Sequence, residues 1–375
     1  MNTAAAPPWL PLQLVPFFTL SYPTAPPAHP DSFPDSNYYA AGLLDGCYIV
    51  TAIAVMAILR DVTRLYVWEP FARWKLTRDL RNSKPNKLAH ANGDGKANGA
   101  VNGNGHTAEY WITPAEKRKM NRSVMRFAEQ GWSVMYYPFS WGLGVYVNRN
   151  FPTAVLNPIN VWTGYPHTPL AGPVKFYYLL QTACYIHQML VLNAEARRKD
   201  HWQMMAHHVI TVALEIASYF YNYTRVGCLV LVLMDLCDGL LPLFGRVKDW
   251  DTMLIIHHEQ LAKMLRYLGM STLCDLAFVL FMTSWFFTRH VLFMLVIKAT
   301  WEAWYVIPRV WDPSNGHFLT TKIYYAFFCM LVALQVIQLV WFTQICRVAY
   351  RVVSGKGAED TRSDDEDDDD HKKDD

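Results

Sequence analysis

The chain has 375 residues, 52% of them hydrophobic and 14% aromatic, with a formal net charge of +2. That is too apolar and too long for one soluble core, and the apolar residues come in blocks of the roughly 17–25 residues that span a bilayer. The near-neutral total offers nothing to a nucleic acid, and it averages basic loops against a C-terminal stretch that is almost wholly acidic, so charge informs only segment by segment.

Residues 1–41 are expected on the lumenal side. "WLPLQLVPFF" (9–18) is short, broken by prolines and without a basic leader, so it does not read as a secretory signal. Transmembrane helices are predicted at 42–60, 126–147, 172–194, 203–222, 225–244, 268–288 and 322–346. The 126–147 block is the weakest, holding Glu129, Pro138 and several Tyr and Trp. The stretch 290–307 reads as an eighth span or as a half-buried segment along the interface. Between the first two spans, 61–121 is a basic loop containing the low-complexity "HANGDGKANGAVNGNGH" (90–106), expected to be disordered. Basic clusters at 60–87, 117–122, 197–199 and 246–266 belong in the cytosol by the positive-inside rule, leaving 148–171 and 222–224 lumenal. The acidic tail, 351–375, ends "HKKDD", and Lys372 and Lys373 resemble the dilysine retrieval signal of endoplasmic reticulum membrane proteins. Such a signal works only in the cytosol. With a lumenal N-terminus it requires an odd number of spans, which favours seven and leaves 290–307 not crossing. Ser363, followed by acidic residues, fits an acidophilic-kinase site. The seven cysteines lie mostly in apolar segments without CxxC spacing and read as packing residues. The fold class is therefore an all-α polytopic membrane protein with about seven transmembrane helices.

The informative stretch is 197–244. On a helix after Trp202, His208, Thr211, Glu215, Ser218 and Asn222 follow at intervals of three and four, which keeps them on one face. His207 lies one position round from that stripe. The next span carries Arg225, Asp235 and Asp238. A turn near 222–225 makes the two spans antiparallel neighbours, so His208 shares a depth with Asp238, and Thr211 with Asp235, toward the cytosolic half of the membrane. Ionisable groups inside spans face a bundle interior or a wet cavity. Helix–helix hydrogen bonding is the structural explanation for such groups, but two His, two Asp, a Glu and an Arg on adjoining spans exceed what it needs.

A di-iron oxidation site requires repeated HxxxH and HxxHH boxes. Only His207–His208 and His257–His258 are paired, no HxxHH exists, and the second pair lies in a basic cytosolic segment, so no metal is expected. There is no GxSxG elbow. What the pattern suits is proton transfer by an imidazole that a carboxylate orients, or direct attack by the imidazole on an acyl group.

The same residues resemble the signature of the ceramide synthases, sphingosine N-acyltransferases that carry the TLC domain: the pair His207–His208, the turn Ser218-Tyr219…Asn222…Thr224-Arg225…Gly227, and Asp235 with Asp238. Segments 126–144, 167–188 and 265–293 are similar too. The likeness covers about 110–350, with 122–350 as the TLC acyltransferase domain. His201 and Met234 depart from the family pattern, and the Asn/Gly linker replaces a homeobox-like insert. The resemblance implies a helical bundle or barrel enclosing an intramembrane cavity, in the endoplasmic reticulum membrane. It implies a long-chain sphingoid base and a fatty acyl-CoA as substrates, the latter a co-substrate with no cofactor, and oligomers with like subunits. His207 and His208 are the implied catalytic pair with Asp235 and Asp238, and Arg197, Arg198 and Lys199 the cations for CoA phosphates. Thr211, Glu215, Ser218, Asn222 and Arg225 are structural, the last two holding the hairpin. Extra copies protect some fungi from their own sphinganine-analogue mycotoxins, a role the resemblance admits beside housekeeping. The competing class is a non-catalytic TLC-domain lipid sensor or carrier, expected to lack the complete His-His…Asp-x-x-Asp set that is intact here.

Overall fold

The structure, a computed structural model, describes residues 1–2, 4, 6–78, 114–152, 157–194, 201–239 and 279–353. Long helices form its body. In chain order they are α1 (Asp45–Arg78), α2 (Pro114–Arg149), α3 (Gly172–Ala194), α4 (His201–Phe220), α5 (Thr224–Gly239), α6 (Val279–Val306) and α7 (Thr321–Val353). Among the described residues three are long and apolar enough to cross a membrane: α1, α6, and α7 through Arg347. Many of the polar residues that make α3 and α4 less apolar are buried, among them Lys175, Gln181, Thr182, His208, Thr211 and Glu215.

One predicted boundary is corrected. The segments 268–288 and 290–307 are not separated near residue 289. Helix α6 runs unbroken from Val279 to Val306, and its π-helical turn, Phe286–Leu292, absorbs the junction. Arg289 and His290, which looked like a break in the apolar run, are accommodated inside the helix. Arg289 is buried against the Trp285 ring, 3.9 Å from its centroid. The all-α expectation holds for the body, while the loops add two small sheets. Strands β1 (Pro23–Thr24), β2 (Tyr38–Tyr39) and β3 (Leu170–Ala171) form an antiparallel ladder in that order, and β4 (Trp311–Asp312) pairs with β5 (His317–Phe318). Two-residue strands have too little periodicity to be seen in a sequence.

The chain divides into two compact units. One comprises residues 1–57, 137–240 and 280–375, the other 58–136 and 241–279. In the second, Ala72, Met120, Val124 and Phe127 form a small core beside Trp68. In the first, α4 packs against α3, α5 and α7, and α5 against α3 and α6. Its core includes Trp162, Tyr223, Phe293, Tyr324 and Phe327, with Trp162 and Phe327 each against the Tyr223 ring.

The turn between α4 and α5 is built by backbone chemistry. Asn222 adopts φ 62°, and the Tyr223 N–H returns to the Ser218 carbonyl at 2.7 Å, which closes α4 with a left-handed cap. The Asn222 amide is buried and donates to the Gly316 carbonyl at 2.7 Å, so the hairpin is tied to the β4–β5 loop. Gly227 sits where α5 meets α3, and a Cβ there would run into the Tyr178 ring.

Candidate active site

The predicted stripe on α4 is buried as a face: His208, Thr211, Glu215, Ser218 and Asn222 are all buried, while Val209, Ile216 and Phe220 point outward and are exposed. Helix α4 has no Gly or Pro between His201 and Phe220 to interrupt the spacing. The two imidazoles lie side by side, centroids 5.4 Å apart. Trp341 of α7 meets His207 edge-on at 5.0 Å, and Tyr185 of α3 stands 5.9 Å from His208. Nδ1 of each histidine is buried without a hydrogen-bond partner. An imidazole nitrogen so placed keeps its lone pair or proton for an incoming group.

His207 opens onto a small cleft. Thr211, Leu214 and Glu215 of α4, Met234 of α5 and Leu331 of α7 are among its walls. Most of that lining is hydrocarbon, which suits an alkyl chain.

Asp235 on α5 is held from two other helices. Its Oδ2 accepts from Ser140 Oγ of α2 and from Gln181 Nε2 of α3, both at 2.6 Å. All three residues are buried. These two bonds tie Asp235 of α5 to α2 and α3. The sequence reading did not single out Ser140 or Gln181. Ser140 shares its block with Ser133, and Gln181 its block with Gln188, and neither has a spacing that points to Asp235. The Met234 departure has a local consequence: its thioether accepts from Gln338 of α7 at 3.1 Å. The backbone carbonyl at this position accepts from Arg289 at 3.1 Å. Asp238 falls on α5, three residues beyond Asp235. Its side chain, and Arg197, Arg198, Lys199, the 90–106 linker, the 256–268 segment and Ser363, lie outside the described residues.

Arg225 does not act within the hairpin alone. It forms an ion pair with Asp31 of the N-terminal segment and lies over Phe151, 5.3 Å from the ring centroid. Burial raises the Asp31 carboxyl's pKa, but the Arg225 hydrogen bond and charge outweigh it and hold it below its usual value. Nearby, His167 Nε2 hydrogen-bonds the Val161 carbonyl at 3.1 Å. Burial, reinforced by Arg225, lowers the His167 pKa to about 4.

The N-terminal segment supplies another buried cluster. Lys175 of α3 pairs with Asp45 of α1 at 2.8 Å and donates to the Ser21 and Ala40 carbonyls, each at 2.7 Å. Asp45 Oδ2 also accepts from Tyr219 OH at 2.7 Å and from the Gly42 N–H at 3.0 Å.

The sequence matches the TLC domain family over residues 126–244 and 260–347, more than half of the chain, and the protein belongs to that family of membrane proteins. Within it the chain is similar to Ceramide Synthase FUM18 of Gibberella moniliformis, at 32% identity over 88% of this chain and 70% of the relative. It is similar to Sphingosine N-acyltransferase lag1 of Schizosaccharomyces pombe, at 33% over 93% and 72%. Ceramide synthase 4 of Bos taurus is 29% identical over 66% of this chain and 57% of the relative. The chain belongs to the ceramide synthases, the sphingosine N-acyltransferase family of acyltransferases.

Proposed function

We propose that this protein transfers a fatty acyl group from acyl-CoA to the amine of a sphingoid base, releasing a ceramide or dihydroceramide and free CoA. The observation that carries the reading is a histidine pair with both Nδ1 atoms buried, whose first ring opens onto an apolar cleft. In the simplest form, His207 or His208 takes the amine proton as nitrogen attacks the thioester carbon, and the departing CoA sulfur leaves with a proton. In the covalent form, one imidazole first receives the acyl group, displacing CoA, and then yields it to the amine. Asp235 and Asp238 support the positive charge that develops beside them, and Ser140 and Gln181 fix Asp235 for that task.

No cofactor enters; acyl-CoA is the co-substrate. The cleft holds hydrocarbon as part of an intramembrane cavity open to the cytosol, and Arg197, Arg198 and Lys199 meet the CoA phosphates at its mouth. Seven spans place the N-terminus in the lumen of the endoplasmic reticulum and the C-terminus in the cytosol, and the protein assembles with like subunits.

The test is direct. Purified protein receives sphinganine and a series of acyl-CoAs, and N-acyl product is measured. Product is expected for at least one chain length, and none at any length overturns the assignment. Mass spectrometry for an acyl adduct on either histidine, before amine is added, separates the two forms of the step.

A further inference from the structure

Two polar groups in the cleft wall have no task in the acyl transfer. Glu215 is 4% exposed and neither carboxyl oxygen has a hydrogen-bond partner. Thr211 is 8% exposed and its hydroxyl also lacks one. Both line the cleft with His207. Two hydroxyls near Glu215 have other acceptors within reach. Thr182 Oγ, which faces the carboxyl, donates to the Tyr178 carbonyl at 3.0 Å. Ser218 Oγ donates to the Glu215 backbone carbonyl at 3.0 Å, which makes Tyr178 the donor in its bond with Ser218. Leu214, Val230, Leu231 and Leu334 supply hydrocarbon to the same walls. A carboxyl buried there is costly unless an incoming group pairs with it.

Position narrows the ligand. His207, Thr211 and Glu215 follow at i, i+4 and i+8, one above another on the cleft face of α4. Glu215 lies ~12 Å along the helix from His207, the length of roughly nine or ten carbons of an extended chain. That is too far for the reacting amine or the hydroxyls beside it, and within reach of the middle of a long hydrocarbon chain.

We propose that Glu215 and Thr211 form a hydrogen-bonding station for a hydroxylated long-chain lipid, receiving a mid-chain hydroxyl while the reacting end lies at His207. The hydroxyl donates to a Glu215 oxygen and accepts from Thr211. The inference rests on the acyl-transfer reading of the cleft, and the hydroxylated chain has two sources, the acyl donor or the sphingoid base.

The full-length protein is tested by competition, with products counted by mass spectrometry. One arm offers stearoyl-CoA carrying a hydroxyl at carbon 10 against the isomer hydroxylated near the chain end, with plain sphinganine. The other offers sphinganine with an added hydroxyl near carbon 11 against its chain-end isomer, with plain stearoyl-CoA. The mid-chain isomer is expected to win by at least about tenfold in one arm, which identifies the source, because a buried polar group left unpaired penalises the wrong ligand. In Glu215→Leu the ratio is expected to fall to about one, and Glu215→Gln to retain part of it. A wild-type ratio near one in both arms overturns the station, whatever the variants do. So does a preference that survives in Glu215→Leu. Absence of product from plain sphinganine and plain stearoyl-CoA overturns the acyltransferase reading instead. The same isomers are then compared as displacers of a fluorescent long-chain amine, and equal displacement overturns the station by itself.

Discussion

The Lys175–Asp45 cluster and the cleft face of α4 bury ionisable groups in the same helical unit, and they treat them in opposite ways. Lys175 is fully buried, yet its ammonium meets a carboxylate and two carbonyls, while Asp45 also accepts from Tyr219 and Gly42. These contacts join α1, α3, α4 and the N-terminal segment. On the cleft face, His207 Nδ1, the Thr211 hydroxyl and the Glu215 carboxyl have no partner, and neither does Nδ1 of the adjacent His208. Burial is common to both clusters, so burial alone does not mark a site. Polar capacity left unused beside a cleft does.

Mutations sharpen the contrast because they act on different readouts. The largest effect is expected in the cleft: His207→Ala or His208→Ala lowers turnover by about 10²–10⁴, the usual worth of a positioned acid or base. Thermal unfolding changes less than in the Lys175 cluster, because these variants lose ring packing but strand no buried charge. A variant with normal turnover and a collapsed melting temperature would reverse the assignment. In the Lys175 cluster the order inverts. Lys175→Met or Asp45→Leu alone strands a buried charge and is expected to destabilise the fold by about 3–5 kcal/mol, while the double variant recovers most of it. Unfolding of the purified single and double variants checks this.

The loop that carries His167 falls between the two. His167 titrates at about 4 in the folded chain, below the ordinary 6.5. The unfolded chain therefore binds the extra proton first. This contribution is intact above pH 6.5 and is lost as pH falls toward 4, by about 3 kcal/mol in all. His167→Gln is expected to flatten that part of the stability–pH curve, measured by thermal unfolding between pH 4 and 7. The smallest effect concerns Asp235. Gln181→Leu and Ser140→Ala each remove one hydrogen bond to it and are expected to lower kcat by about tenfold, with KM for the acyl donor little changed. A change confined to KM would place these residues in substrate binding.

Much of the site was legible because helical spacing is strict. His208, Thr211, Glu215, Ser218 and Asn222 were assigned to one buried face from their intervals, and that face is buried. The tight turn after Phe220 was legible from the short polar break between two apolar runs, and its left-handed Asn222 supplies the mechanism. The partners of Asp235 were not legible. Ser140 and Gln181 lie 95 and 54 positions away in sequence, and nothing local records that α2 and α3 turn those faces toward α5. Arg225 shows the same limit: its place at the turn suggested a hairpin brace, whereas its carboxylate, Asp31, comes from a segment with no regular pattern.

By itself the sequence determined the helical, membrane-spanning class, the family signature and the polar face of α4. These follow from composition and from a periodicity of 3.6, which are properties of short stretches. Only the tertiary structure decided which polar groups on those helices are paired and which are left open to the cleft. Pairing depends on which faces of distant helices meet, and in a buried, apolar setting that decides whether an ionisable side chain holds the fold together or stands ready for a ligand.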